Sequence, residues 1–173
     1  MKDELLDLVN GNDEIIGTVW KSEAHKDPKL FHREAAIVVF NENQEVLLQQ
    51  RSMSKKSAPG KWTLTAVGHI GRGEAPEIAA ARELQEEMGL VVKPIYFKKT
   101  AIQYQENEAR FFWVYYGIVK SDEKITIDKE EVQDAAWVPV TKLVEFSKTH
   151  NYLLTGVSHL RIMELAEMLG YLV

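Results

Sequence analysis

The sequence contains no cysteine, which excludes disulfides, thiolate metal sites and a cysteine nucleophile. No apolar run approaches the ~20 residues that span a bilayer. The first ten residues, MKDELLDLVN, carry acids where a secretory leader needs a basic start and an apolar stretch. A cytoplasmic location without a membrane partner is therefore expected. Basic residues are not in excess either. Lys and Arg number 21 against 26 Asp and Glu, a net charge of −5. No nucleic-acid partner is expected, because such proteins usually carry a basic stripe. Repeats, low-complexity segments and interdomain linkers are also missing. What remains is 173 residues, 45% hydrophobic and 27% charged, enough for a single domain over residues 1–173 with a sizeable core. Nothing in the sequence sets the oligomeric state, and a homodimer is compatible with it.

Residues 5–9 and 15–20 flank Gly11-Asn12-Asp13 and are predicted to form a hairpin. Residues 35–40 (AAIVVF) form a continuous apolar, β-branched run, the mark of a buried strand. After a turn at 41–44, residues 46–50 are the returning strand. Pro59-Gly60 fixes a loop at 57–61, and residues 62–67 are a short strand. Residues 77–88 show helical spacing and stop at Gly89. Strands are expected at 95–101, 111–119 and 132–138, the last ended by Pro139, and helices at 141–149 and 158–169. Mixed strands and helices without strict alternation predict an α/β (α+β) fold with a mixed β-sheet sandwiched between α-helices. The aromatic residues of 111–116 are expected in the core rather than as a shelf for a base.

The most informative stretch is residues 68–90, GHIGRGEAPEIAAARELQEEMGL. Glu83, Glu86 and Glu87 fall at i, i+3 and i+4, on one face of the predicted helix. Arg82, four residues before Glu86, can hold that carboxylate in place. Clustered carboxylates repel one another unless a cation joins them. Mg²⁺ takes such oxygen ligands and often bridges to substrate phosphates. Gly68, Gly71 and Gly73 permit a tight loop that can approach a ligand closely, and Glu74 comes off that loop. A solvated acidic face is the ordinary reading of glutamates alone.

The full spacing goes further. Gly68, Glu74, Arg82-Glu83-Leu84, Glu86-Glu87 and Gly89-Leu90 resemble the Nudix box at all seven fixed identities and both apolar positions. The resemblance implies the Nudix fold and cleavage of a nucleoside diphosphate linked to another group. It also implies Mg²⁺ or Mn²⁺ held by Glu83, Glu86 and Glu87, with Gly68 and Glu74 in the substrate-binding loop.

Neighbouring residues resemble the isopentenyl diphosphate isomerase branch of that family. These are Arg51 through Lys55-Lys56, Pro59-Gly60-Lys61-Trp62-Thr63 and Gly68-His69. In that branch the residues matching Arg51 and Lys55 contact the substrate diphosphate, which suits a planar fork and a point charge. The resemblance also implies a second metal site of three histidines and two glutamates: His25, His32, His69, Glu106 and Glu108. Such a set suits Mn²⁺, Zn²⁺ or Mg²⁺. The isomerases, however, need a cysteine two residues before that third histidine, and this sequence has Val67 there. Valine neither donates nor accepts a proton.

The sequence therefore resembles bacterial isomerase-like Nudix hydrolases, MutT-like enzymes whose substrate is a small diphosphate. Glu86 or Glu87 is the expected general base, with Arg82 in the same catalytic group. Two alternatives stand beside this reading. One is an isomerase with an altered acid, and the other is a non-catalytic diphosphate or nucleotide sensor.

Overall fold

The computed structural model describes residues 3–104, 108–150 and 156–172. Its centre is the apolar run, which lies in β3 (His32–Asn41). Alternate residues of a strand face opposite sides, and here both sides are covered. Ala35, Ile37 and Val39 pack with Ala79, Ala80, Leu84 and Met88 of one helix. Ala36, Val38 and Phe40 pack with Ile162, Leu165 and Ala166 of another. All six strand residues have no exposed surface, so the missing polar alternation in AAIVVF reflects two covered faces.

The first of those helices is α2 (Pro76–Met88), with proline in its first turn and Gly89 closing it at φ 67°. Both are favoured at those positions because proline fixes φ and glycine tolerates the left-handed region. The other face carries α3 (Leu143–Thr149), entered through a 3-10 turn at Val140–Lys142, and α4 (Gly156–Met168). The expected mixed sheet between helices is present. Among the described residues no helix is long and apolar enough to cross a membrane.

β8 (Glu108–Val119) runs parallel to β3, and β7 (Ile95–Tyr104) pairs antiparallel with β8 at the edge. Phe111, Phe112 and Tyr115 are buried, as expected of core aromatics. The returning strand β4 (Glu45–Arg51) differs from expectation. It meets β3 only at Phe40↔Val46, and pairs along its length with β9 (Val132–Pro139).

The reason lies in the segment expected as one strand over 62–67. It breaks into β5 (Trp62–Thr63), paired with β4, and β6 (Ala66–His69), paired with β3. Thr65 stands at the crossing. Its hydroxyl accepts from Val39 N at 2.8 Å and donates to Leu47 O at 2.6 Å, so one side chain fills the gap between β3 and β4.

The hairpin β1 (Leu5–Val9) with β2 (Ile15–Trp20) forms as predicted and lies against the glycine loop. Leu5 O accepts Arg72 N–H at 3.1 Å, and Asp7 Oδ2 accepts Gly73 N–H at 3.0 Å. At its tip the Asp13 carboxylate takes Arg33 Nε at 2.5 Å and Lys99 Nζ at 2.9 Å. The short helical turn α1 (Lys21–Ala24) follows β2 and leads into His25, and it is held by Lys21 N–H donating to Glu4 O at 2.9 Å and by the Ser22 hydroxyl donating to Asp3 Oδ2 at 2.7 Å.

Candidate active site

α2 presents its glutamates to the backbone of β6. Glu83 lies directly against Gly68: a Cβ at that glycine would sit 2.0 Å from the Glu83 Cδ and Oε1. Glycine is thus required by close approach of a carboxylate rather than by backbone strain. Glu87 is buried and accepts from Gln49 Nε2 at 2.7 Å and from Val67 N–H at 3.4 Å. Glu86 turns outward, with 59% of its side chain exposed.

Arg82 ties this face together. Its guanidinium donates to Glu74 Oε1 and Oε2 at 2.8 and 3.0 Å, to Glu83 Oε1 at 2.7 Å, to His69 O at 3.1 Å and to Glu86 Oε2 at 3.2 Å. The expected Arg82–Glu86 contact is therefore present, but as the longest of the set. Glu74, expected to face substrate from the loop, has its carboxylate committed to Arg82 and to Gly71 N–H, the latter at 2.9 Å. In this structure Glu74 anchors Arg82.

The charges follow from this burial. Burial first, then the charge of Glu83, pushes the Glu87 carboxyl up to about 8, against the opposing bonds from Gln49 and Val67; Glu131 adds a smaller push. Glu83 is also raised, by burial, despite Arg82. At Glu74, burial is outweighed by Arg82 and the Gly71 N–H, and the carboxyl lies below its ordinary value. Two acids whose ionised forms burial disfavours, aimed at one backbone cradle, form a set that a hard divalent cation would stabilise in its ionised form.

The three histidines come together. His25 Nε2 and His69 Nε2 are 2.9 Å apart, and one ligand atom from each of His25, His32 and His69 lies within 4.8 Å of the others. Two nitrogens bound about 2.1 Å from one ion at a right angle would stand roughly 3.0 Å apart, so the His25–His69 spacing fits ligation, as it also fits an N–H···N hydrogen bond between the two rings. Burial pushes the His32 imidazole down to about 4 and His69 well below its ordinary range, so both are neutral at pH 7, as ligands must be. Glu106 lies outside the described residues. Glu108 opens β8, two residues before Arg110, which pairs with His32.

β6 sets the relation between the two groups. Ala66 and Gly68 face α2 and the acids, whereas Val67 packs into the α4-side cluster. Alternation places His69 on the Val67 side. The acids and the histidines are therefore back to back across a single strand.

Sequence reasoning missed two members of these groups. Gln49 reaches Glu87 and Thr65 O from β4, and nothing in its sequence context distinguishes it. Glu34 lies 3.4 Å from His69 Nε2 and is ion-paired with Arg110. Counting back by twos from Ala36 puts Glu34 and His32 on one face, and that signal could have found it. Of the expected diphosphate contacts, Arg51 donates from Nε to Ser57 O at 3.0 Å, and Lys55 is ion-paired with Glu131.

The fold and this acid-bearing helix define a class, and comparison with known proteins agrees with it. The NUDIX domain family matches residues 30–155, so the chain belongs to the Nudix family. It is 36% identical over 148 residues to an isopentenyl-diphosphate Delta-isomerase of Streptomyces avermitilis, covering 82% of this chain and 74% of that protein. It is 31% identical over 138 residues to an uncharacterized Nudix hydrolase of Listeria monocytogenes, covering 79% and 80%. The crystal structure of DR0079 from Deinococcus radiodurans superposes with a TM-score of 0.70 at 22% identity, over 86% of this chain and 92% of that one, which speaks for the fold.

Proposed function

We propose that this Nudix enzyme is a divalent-metal-dependent hydrolase of a P–O–P linkage in a nucleoside diphosphate derivative or another small organic diphosphate. The carrying observation is the pair of inward-turned carboxylates, the buried Glu87 and the partly buried Glu83, the latter set against the Gly68 cradle. Both fit Mg²⁺ or Mn²⁺ by donor chemistry, since hard cations take carboxylate oxygens. A bound cation would supply neutralisation of charge on the phosphates and activation of water. Arg82 orients Glu83 and keeps Glu86 near it. Glu86 alone of the three is open to solvent, and it takes the proton. Arg51 and Lys55 bind the phosphates.

Phosphate release across a panel of diphosphates tests this reading. EDTA should abolish turnover, and Mg²⁺ or Mn²⁺ should restore it. Metal-independent turnover, or no turnover on any diphosphate, would overturn it.

The second reading, isomerisation of isopentenyl diphosphate, is favoured by the histidine group and by relatives named for that activity. Val67 argues against it. It packs into the apolar cluster on the histidine side, where a proton-transferring group would be needed. General acid–base groups are typically worth about 10²–10⁴ in rate. The wild-type protein should therefore form no dimethylallyl diphosphate at isomerase rates, and Val67→Cys is the variant in which activity should first emerge. Isomerase-like rates in the wild type would reverse the order of the two readings.

A further inference from the structure

Residues 120–131 connect β8 to β9, and no motif marks them. Their second half is tied at two places. At the end of α2, Thr126 N–H donates to Met88 O at 2.9 Å and Asp128 N–H to Glu87 O at 3.1 Å. Those carbonyls lack helical partners, so the loop completes the helix that carries the acids. Gly89 makes room for this: a Cβ there would stand 3.0 Å from Thr126. At the other end, Glu131 O accepts Ser52 N–H at 2.9 Å, and Glu130 O accepts the Ser54 hydroxyl at 3.1 Å. The Glu131 carboxylate is ion-paired with Lys55. Ser52, Ser54, Lys55, Lys129, Glu130 and Glu131 line a cleft of about 450 Å³, and of its two acids Glu131 is the one ion-paired with Lys55.

Lys55 is the cation assigned above to a substrate phosphate, yet an anion of the protein already sits on it. We propose that Glu131 is a specificity-setting residue, the resident counter-ion of Lys55, which an incoming diphosphate must displace. The inference rests on the reading of Lys55 as a phosphate contact. Displacement is feasible because both side chains are partly exposed, 21% for Lys55 and 32% for Glu131, and such pairs are weak. A doubly or triply charged diphosphate wins the ammonium from one carboxylate, whereas a weakly charged anion does not. Glu131 thereby discriminates by charge. In its resident position the Glu131 carboxylate already pushes the Glu87 carboxyl upward.

The test is binding of imidodiphosphate, a non-hydrolysable diphosphate, by calorimetry with Mg²⁺ held constant. The proteins are wild type, Glu131→Gln, Lys55→Ala and the double variant. Glu131→Gln keeps the side-chain shape and the backbone bond to Ser52, and its thermal midpoint checks the fold. It should bind about 2- to 5-fold more tightly than wild type, the range of a half-exposed ion pair. In the Lys55→Ala background the same substitution should change affinity by a factor close to one. Inorganic phosphate should gain relatively more than imidodiphosphate when Glu131 is neutralised. Unchanged or weaker binding by Glu131→Gln overturns the proposal while leaving the Lys55 assignment intact. An equal gain with and without Lys55 also overturns it, since removal of negative charge would then suffice. Wild-type affinity in Lys55→Ala would instead remove the Lys55 assignment itself.

Discussion

Glu87→Gln should stabilise the metal-free protein while destroying its activity. The Glu87 carboxyl is buried and pushed from an ordinary 4.5 to about 8. Between those values the folded chain holds a proton that the unfolded chain releases. Stability is therefore lost as pH rises through this window, the reverse of the usual salt-bridged acid. One pKa unit is worth about 1.4 kcal/mol, so the penalty is roughly 3 kcal/mol at pH 7 and about 5 kcal/mol above pH 8. Glutamine removes it. Its carbonyl can accept from Gln49 and Val67, but its amide adds a donor that needs a partner, at a cost of about 1 kcal/mol or more. The net gain is on the order of 1–3 kcal/mol, or about 3–10 °C in thermal midpoint for a chain of this size. Melting curves in EDTA from pH 5 to 9 should show the two proteins together at the acid end and diverging as pH rises. With Mg²⁺ at 100 times its dissociation constant, wild type alone should gain about 2.7 kcal/mol, and the difference should shrink or reverse. The turnover number of the variant should fall by about 10² or more. Parallel pH curves in EDTA, or a variant less stable than wild type at pH 9, would refute the placement of Glu87 as a buried, cation-awaiting acid.

Two further outcomes follow from the same geometry. Gly68→Ala would drive a Cβ to 2.0 Å from the Glu83 carboxylate. It should cost about 10²-fold in turnover through displacement of Glu83 and only about 1–3 kcal/mol in unfolding free energy, which kinetics and urea melts would separate. His32 supplies an acid-side limb. It is held near 4 by burial, so the unfolded chain binds the extra proton between about 6.5 and 4, and stability should fall as pH drops across that range. Urea midpoints that stay flat from pH 6.5 to 4 would contradict this, and added Zn²⁺ should raise the midpoint at pH 7 but not at pH 4.

Legibility differed between the parts of the molecule for physical reasons. β1, β2, β3 and α2 were readable because each follows from local periodicity and a stop signal, as in AAIVVF or the run that closes at Gly89. The pairing of β4 with β9, and the break in 62–67, were not. Both depend on Thr65 bridging two backbone strands, a contact between residues 18 and 26 positions apart. At the site, spacing on one helix correctly put Glu83, Glu86 and Glu87 on one side. It could not say that Glu86 turns to solvent while Glu87 turns inward, where Gln49 of a distant strand meets it. Glu74 shows the same limit. Loop position alone made it a substrate contact, whereas the structure gives both its oxygens to Arg82. Glu34 was readable in principle, being two residues from Ala36 on one face, but a charge next to an apolar run looks like a strand end until His69 is paired opposite it.

The alternation of β6 carries the chemical consequence furthest. Gly68 gives the acids their cradle, and its neighbours His69 and Val67 belong to the opposite side. One strand thus serves as a wall between carboxyl groups whose pKa burial raises and imidazoles that burial keeps neutral. These tendencies oppose one another in pH. The acids weaken the metal-free fold as pH rises above about 4.5, and the histidines weaken it as pH falls below about 6.5, so each flank of the stability curve belongs to one side of the wall. A cation on the acid side would remove the alkaline flank without touching the other. On this geometry the acid side does not depend on what the Val67 side chain offers to the histidine side. That separation is the physical ground on which the proposed hydrolysis stands in a chain whose isomerase position is valine.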